Sequence, residues 1–134
     1  MIELERLPNW ESYLSTYIES KRDEPFAYSI NDCFCFSFGA VQAMTGVDGM
    51  LEFRGQYSNE FGSLRALKNI GKGDVESTLD YKFPVIEIGQ AQRGDLAFFD
   101  GSVGVVMGEF AWFVAEQGLE RVPMSFWDKC WKVG

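Results

Sequence analysis

Cys33 stands in the run Asn31-Asp32-Cys33-Phe34-Cys35-Phe36, at the head of a small-residue helical segment, in a chain of 134 residues without one histidine. A thiol in the first turn of a helix meets free backbone N–H groups and the positive end of the helix dipole, and both favour the thiolate. The same N–H groups can form part of an oxyanion hole. That is the placement of a cysteine nucleophile in amide hydrolysis. The imidazole that ordinarily takes the thiol proton is missing, and a buried cysteine in an apolar run is otherwise an inert small hydrophobe. Asp32, directly before the helix, reads as its N-cap rather than as a catalytic acid.

Other chemistry is thinly represented. If Cys33 did act without imidazole, the helix dipole or a carboxylate such as Asp95 or Asp100 would have to help it. Cys33, Cys35 and Cys130 lack the second Cys-x-x-Cys-like pair of a zinc or iron–sulfur centre, and no histidine completes the set. No metal and no cofactor is expected. Phe53-Arg54-Gly55-Gln56-Tyr57 places an arginine between two rings across a glycine. It reads either as a stacked cationic anchor for a partner or as a loop tucking its rings against the central helix.

The elements that must position these residues follow from periodicity. Trp10, Tyr13, Leu14, Tyr17 and Ile18 recur at helical spacing after Asn9 as N-cap and Leu7 as staple, and Pro25 closes that stretch. A second helix runs from Cys33 to Gly46. Ser37, Gly39, Ala40 and Ala43 let it lie close to its neighbours, which makes it the buried central helix. A third spans Ser58 to Ile70, capped by Ser58 or Asn59, and a short fourth falls between Gly73 and Tyr81. After Pro84 come short apolar runs at hairpin spacing: Val85 to Ile88, Asp95 to Phe99, Val103 to Met107, Ala111 to Ala115 and Leu119 to Val122. They predict an antiparallel meander of four to five strands, with Cys130 to Val133 as a candidate last strand. Helices first and strands second make an α+β domain.

Composition narrows the setting. The chain is one domain by length. With 12 basic against 20 acidic side chains its net charge is −8, which repels phosphate backbones and anionic membrane surfaces and excludes nucleic acid as a partner. No apolar run approaches the roughly 20 residues of a membrane span. The amino terminus lacks the marks of a signal peptide, and the odd cysteine count is no disulfide framework, so folding in a reducing cytoplasm is expected. The load of 12 Phe, 4 Trp and 5 Tyr is high, and these rings serve either one aromatic core or a surface that another protein covers.

Three blocks in order carry a family likeness: Asp32-Cys33-Phe34-Cys35-Phe36, then Arg93-Gly94-Asp95-Leu96-Ala97-Phe98-Phe99, then Ser102-Val103-Gly104-Val105-Val106-Met107-Gly108. Over roughly Pro25 to Ala115 the chain resembles the NlpC-type, papain-like cysteine peptidases of bacteria and phages. The resemblance implies a papain-like α+β fold in which Cys33 opens the central helix and packs beside the strand carrying Ser102. It also puts Ser102 at the position of the histidine base and Val114 at that of the residue orienting it. Neither can do that work, so an inactive pseudo-peptidase is implied.

The chain is similar, more particularly, to small phage and prophage proteins of that superfamily encoded among tail genes. The shared features are the Phe26-to-Cys33 opening, the Phe53-to-Tyr57 segment and a carboxyl-terminal Trp131. This likeness implies a structural protein of the virion, made in the host cytoplasm. Its place would be the tail tip of a long, flexible-tailed phage, between hub or distal tail proteins and the central fibre. Arg54, Tyr57, Trp127 and Trp131, with Phe126, are the expected protein contacts. The alternative is an active cysteine hydrolase of peptidoglycan peptides with Cys33 and a non-histidine base.

Overall fold

The structure is a computed structural model and describes residues 1–134. Four helices precede the main run of strands: α1 Trp10–Lys21, α2 Cys33–Thr45, α3 Glu60–Asn69 and α4 Val75–Lys82. Six strands follow: β1 Val85–Ile86, β2 Leu96–Phe99, β3 Ser102–Val106, β4 Phe110–Ala115, β5 Gly118–Pro123 and β6 Lys129–Trp131. Short 3-10 turns lie at Leu51–Phe53, Ile88–Gln90 and Met124–Phe126. The domain is α+β, as its segregated periodicities require. None of its helices is long and apolar enough to cross a membrane.

The caps explain where the helices begin. Asp32, Asn59 and Asp74 each accept a hydrogen bond from a first-turn backbone N–H, of Cys35, Gly62 and Ser77 respectively. Asn9 precedes α1 but makes no side-chain cap, and Leu7 instead donates its backbone N–H to the Met44 carbonyl. The amino-terminal segment is therefore tied to the end of α2 rather than stapled to its own helix. α2 stops at Gly46, whose φ of 78° is a conformation open to glycine.

The sheet is antiparallel throughout, in the order β1-β6-β2-β3-β4-β5. Only β2 to β5 form the expected meander. The last strand returns across the sheet and inserts between β1 and β2, where Trp131 faces Val85 on one side and Leu96 on the other. An unbroken meander would leave β2 as an edge with unpaired Ala97 and Phe98 backbone groups. Insertion of β6 satisfies them.

Period-two alternation divides the sheet between two apolar layers. Leu96, Val103, Val105, Trp112 and Trp131 face the helices and pack with Phe36, Phe38 and Met44 of α2. Ala97, Val106, Ala111, Phe113 and Cys130 face the other way, beneath Trp127. Burying each such large side chain contributes about 1.5–3 kcal/mol.

The aromatic residues expected at the carboxyl-terminal surface are corrected by this packing. Trp131 is wholly buried, with its indole N–H on Asp80 at 2.9 Å. Trp127 is buried too, and donates to the Val122 carbonyl at 3.0 Å. Strand alternation sends the Trp131 ring into the main core, and the turn at Met124–Phe126 folds Trp127 onto the outer face. Of that group only Phe126 is exposed, at 57%.

Candidate functional site

The loop before α2 sets the site. Asn31 is buried, and its amide donates to the Glu24 and Pro25 carbonyls at 3.0 and 3.2 Å. That pins the chain so that Asp32 can cap. One Asp32 oxygen accepts the Cys35 N–H at 2.8 Å; the other accepts the Ser29 N–H at 2.9 Å and the Tyr57 hydroxyl. Asp32 is only 5% exposed. It is a structural hub joining the loop, the head of α2 and the Phe53-to-Tyr57 segment.

Cys33 follows as the first residue of α2, beside β3. Ser37, one turn on, donates its hydroxyl to the Val103 carbonyl at 3.2 Å and fixes helix to strand. Ser102 and the Val103 backbone lie next to the Cys33 sulfur. Val114 is half-buried on β4, the strand after β3, and packs on the main core. The positions that the family resemblance marks as nucleophile and base are thus neighbours, while the third is an apolar side chain.

The electrostatics run against a thiolate. Burial pushes the Cys33 thiol above its ordinary value. The Val103 backbone and the Ser102 hydroxyl pull the other way, and the adjacent Asp32 carboxylate adds to the rise. Cys35, whose sulfur lies 3.9 Å from the Tyr57 hydroxyl, is pushed up to about 11 by burial and by Asp32. Burial raises the Tyr57 hydroxyl as well, and its bond to Asp32 raises it further. Both thiols and the phenol hold their protons at neutral pH.

The carboxylates considered as substitute bases are elsewhere. Asp95 is buried, paired with Arg6 at 3.0 Å, and takes the Gln92 and Val133 backbone N–H groups at 2.8 and 3.0 Å. Asp100 is exposed in the β2–β3 turn. Cys130 is buried on the far face of the sheet, and no three His, Cys, Asp or Glu side chains converge into a ligand set.

Cys33 forms part of the wall of a cleft of about 230 Å³. Phe26 and Tyr28 from the preceding loop, Phe34 of α2, Phe53 and Tyr57, Glu60, Ser63, Leu64 and Leu67 of α3, Val75 of α4 and Gly101 complete it with Asp32. Phe26 and Tyr28 meet edge to face at 4.8 Å, and Phe34 and Phe53 at 5.5 Å. The Phe26-to-Cys33 segment entered the sequence reading only through the family likeness, and nothing in the sequence pointed to the contribution of α3 to this wall.

Of the two readings of the Phe53-to-Tyr57 segment, Arg54 does not follow the stacked anchor. Its guanidinium is held bidentate by Asp48 at 2.6 and 3.0 Å. A fork-to-carboxylate pair outcompetes a ring face for a planar cation. Phe53 is buried and Tyr57 half-buried, so the segment tucks its rings inward.

With this geometry in place, residues 5–133 match a family described as "Domain of unknown function (DUF6950)". The chain belongs to that family. No curated protein and no solved structure matches it.

Proposed function

We propose that this chain is a catalytically inactive, papain-like structural subunit of a phage tail tip, bridging hub or distal tail proteins and the central fibre. The observation that carries the proposal is the pairing of Cys33, at the head of α2, with Ser102 on β3. The frame of a cysteine peptidase is retained at the point where its chemistry is lost. A serine hydroxyl cannot take a thiol proton at neutral pH, and general-base assistance is worth about 10²–10⁴-fold. The raised Cys33 thiol, the commitment of Asp95 to Arg6 and the absence of histidine all support a frame without turnover. The tail-tip assignment rests on the resemblance over Phe26 to Cys33 and Phe53 to Tyr57 and on the acidic charge, which suits protein partners with basic surfaces.

The test is composition of the particle. Mass spectrometry of purified tails from a strain carrying the gene is expected to find the chain at a fixed stoichiometry to the tail-tip proteins. Its absence from intact tails would overturn the assignment. Incubated with peptidoglycan peptides, the isolated protein is expected to give no amide cleavage. Turnover that disappears in Cys33→Ala would establish the hydrolase instead.

A further inference from the structure

The Cys33 cleft pairs a largely apolar lining with charge of one sign, whereas the cleft beside Arg6 and Asp95 is lined by charges of both signs. Its only charged wall groups are Asp32 and Glu60, both acidic, and no lysine or arginine lines it. The oxygens of Asp32 are met by two backbone N–H groups at the head of α2 and its preceding loop and by a phenol, and no cationic side chain bonds it at the floor. Apolar surface continues outward from the mouth. Leu64 is 58% exposed and Phe26 37%; Phe61, one helical turn before Leu64 on α3 and outside the cleft, carries the Arg65 guanidinium 4.8 Å over its ring.

Size decides what kind of occupant fits. About 230 Å³ lies below the roughly 300–1,000 Å³ of pockets that enclose a drug-sized ligand. It suits the anchor of a protein contact, where one apolar side chain fills a desolvated pocket and polar groups form the rim.

We infer that this cleft docks a segment of a partner protein that inserts one apolar side chain, of leucine or phenylalanine size, beside a lysine or arginine. The inference rests on the reading that Cys33 performs no chemistry. The apolar residue packs between Phe26, Phe53 and Leu64, and the flanking cation approaches the exposed Glu60 carboxylate, with the buried Asp32 charge behind it. An acidic segment is repelled by the same two groups. Glu60 at the rim sets the encounter and its salt dependence, while the apolar anchor sets the lifetime of the contact.

The test uses the purified full chain and peptides of the form acetyl-Gly-Lys-X-Lys-Gly-amide, whose blocked ends leave only side chains to be recognised. X is leucine, phenylalanine or alanine, and a matching series carries Glu in place of Lys. Binding is read by NMR shifts of Tyr28, Tyr57 and Leu64. The leucine and phenylalanine peptides of the Lys series are expected to bind, and the alanine and Glu peptides to fail. Glu60→Lys should weaken the Lys peptides by about fivefold, the size of a rim charge effect. Leu64→Asp, at an exposed position that leaves the fold intact, should abolish binding.

Equal response to the Lys and Glu series, or no response from any peptide at millimolar concentration, would overturn the inference. So would self-association of the free protein that Leu64→Asp dissolves, because the occupant would then be a second copy. Cleavage of a bound peptide is a separate outcome: it would leave the cleft's specificity standing and remove the inactive-subunit reading.

Discussion

The thiol of Cys33 and the hydroxyl of Tyr57 are held protonated by the same two causes, burial and the Asp32 carboxylate, and this has consequences that can be measured one residue at a time. Alkylation of Cys33 by iodoacetamide should be slow at neutral pH and accelerate only above the ordinary thiol range. A rate plateau reached below about pH 7, as for a helix-activated thiolate, would contradict the geometry described. Burial pushes the Cys35 thiol up to about 11 and the Cys130 thiol up to about 12, so between the unfolded thiol value and those values the folded chain binds more protons than the unfolded one. The contribution of these two thiols to stability is therefore flat below about pH 8 and falls as pH rises from about 9 towards 12. Urea midpoints across that range should decline, and less steeply in Cys130→Ala. Tyr57→Phe removes a donor from a buried carboxylate and should cost about 1–3 kcal/mol in urea unfolding. A loss under half a kilocalorie would show that water replaces the phenol.

Between elements, the closest fit is that of α1 on α2. A Cβ built on Gly39 would sit 2.1 Å from the Tyr17 hydroxyl oxygen, and that hydroxyl donates to the Phe36 carbonyl at 2.7 Å while its ring stacks on Phe36. Gly39→Ala must expel Tyr17, and a cost of about 1–3 kcal/mol is expected despite alanine's better helix propensity. An unchanged or raised midpoint would mean that α1 can shift without loss. The small residues of α2 made this approach legible in the sequence, as did Asp32 and Asn59 as caps and the switch from helical to strand periodicity after Pro84. The place of β6 was not legible. Cys130 to Val133 reads like any short strand, and nothing local states that it pairs with β1 and β2 from the far end of the chain. The choice between the two readings of the Phe53-to-Tyr57 segment was not legible for a related reason: Asp48, six positions earlier, meets Arg54 only because the turn at Leu51–Phe53 folds the chain back.

For the whole molecule, the aromatic load divides chiefly in favour of the core. Trp131, Phe36, Phe38, Phe53 and Phe83 are among its largest fully buried side chains. Trp131→Ala should cost about 3–5 kcal/mol and leave little folded protein to assemble, so loss of tail incorporation in that variant would say nothing of an interface. The exposed rings are Phe26 at the mouth of the Cys33 cleft, Phe61 on α3, Tyr13 on α1, Tyr81 on α4 and Phe126, positions that composition alone could not locate. We propose that a peptidase-like frame serves in a phage particle without its chemistry. The most direct measurement of this is the infective titre per particle of phage carrying Cys33→Ala, with the content of the chain in the tails measured alongside. The account predicts unchanged content and unchanged titre. Tails that contain the variant in full yet lose infectivity would contradict it, because the thiol would then be needed for something other than assembly.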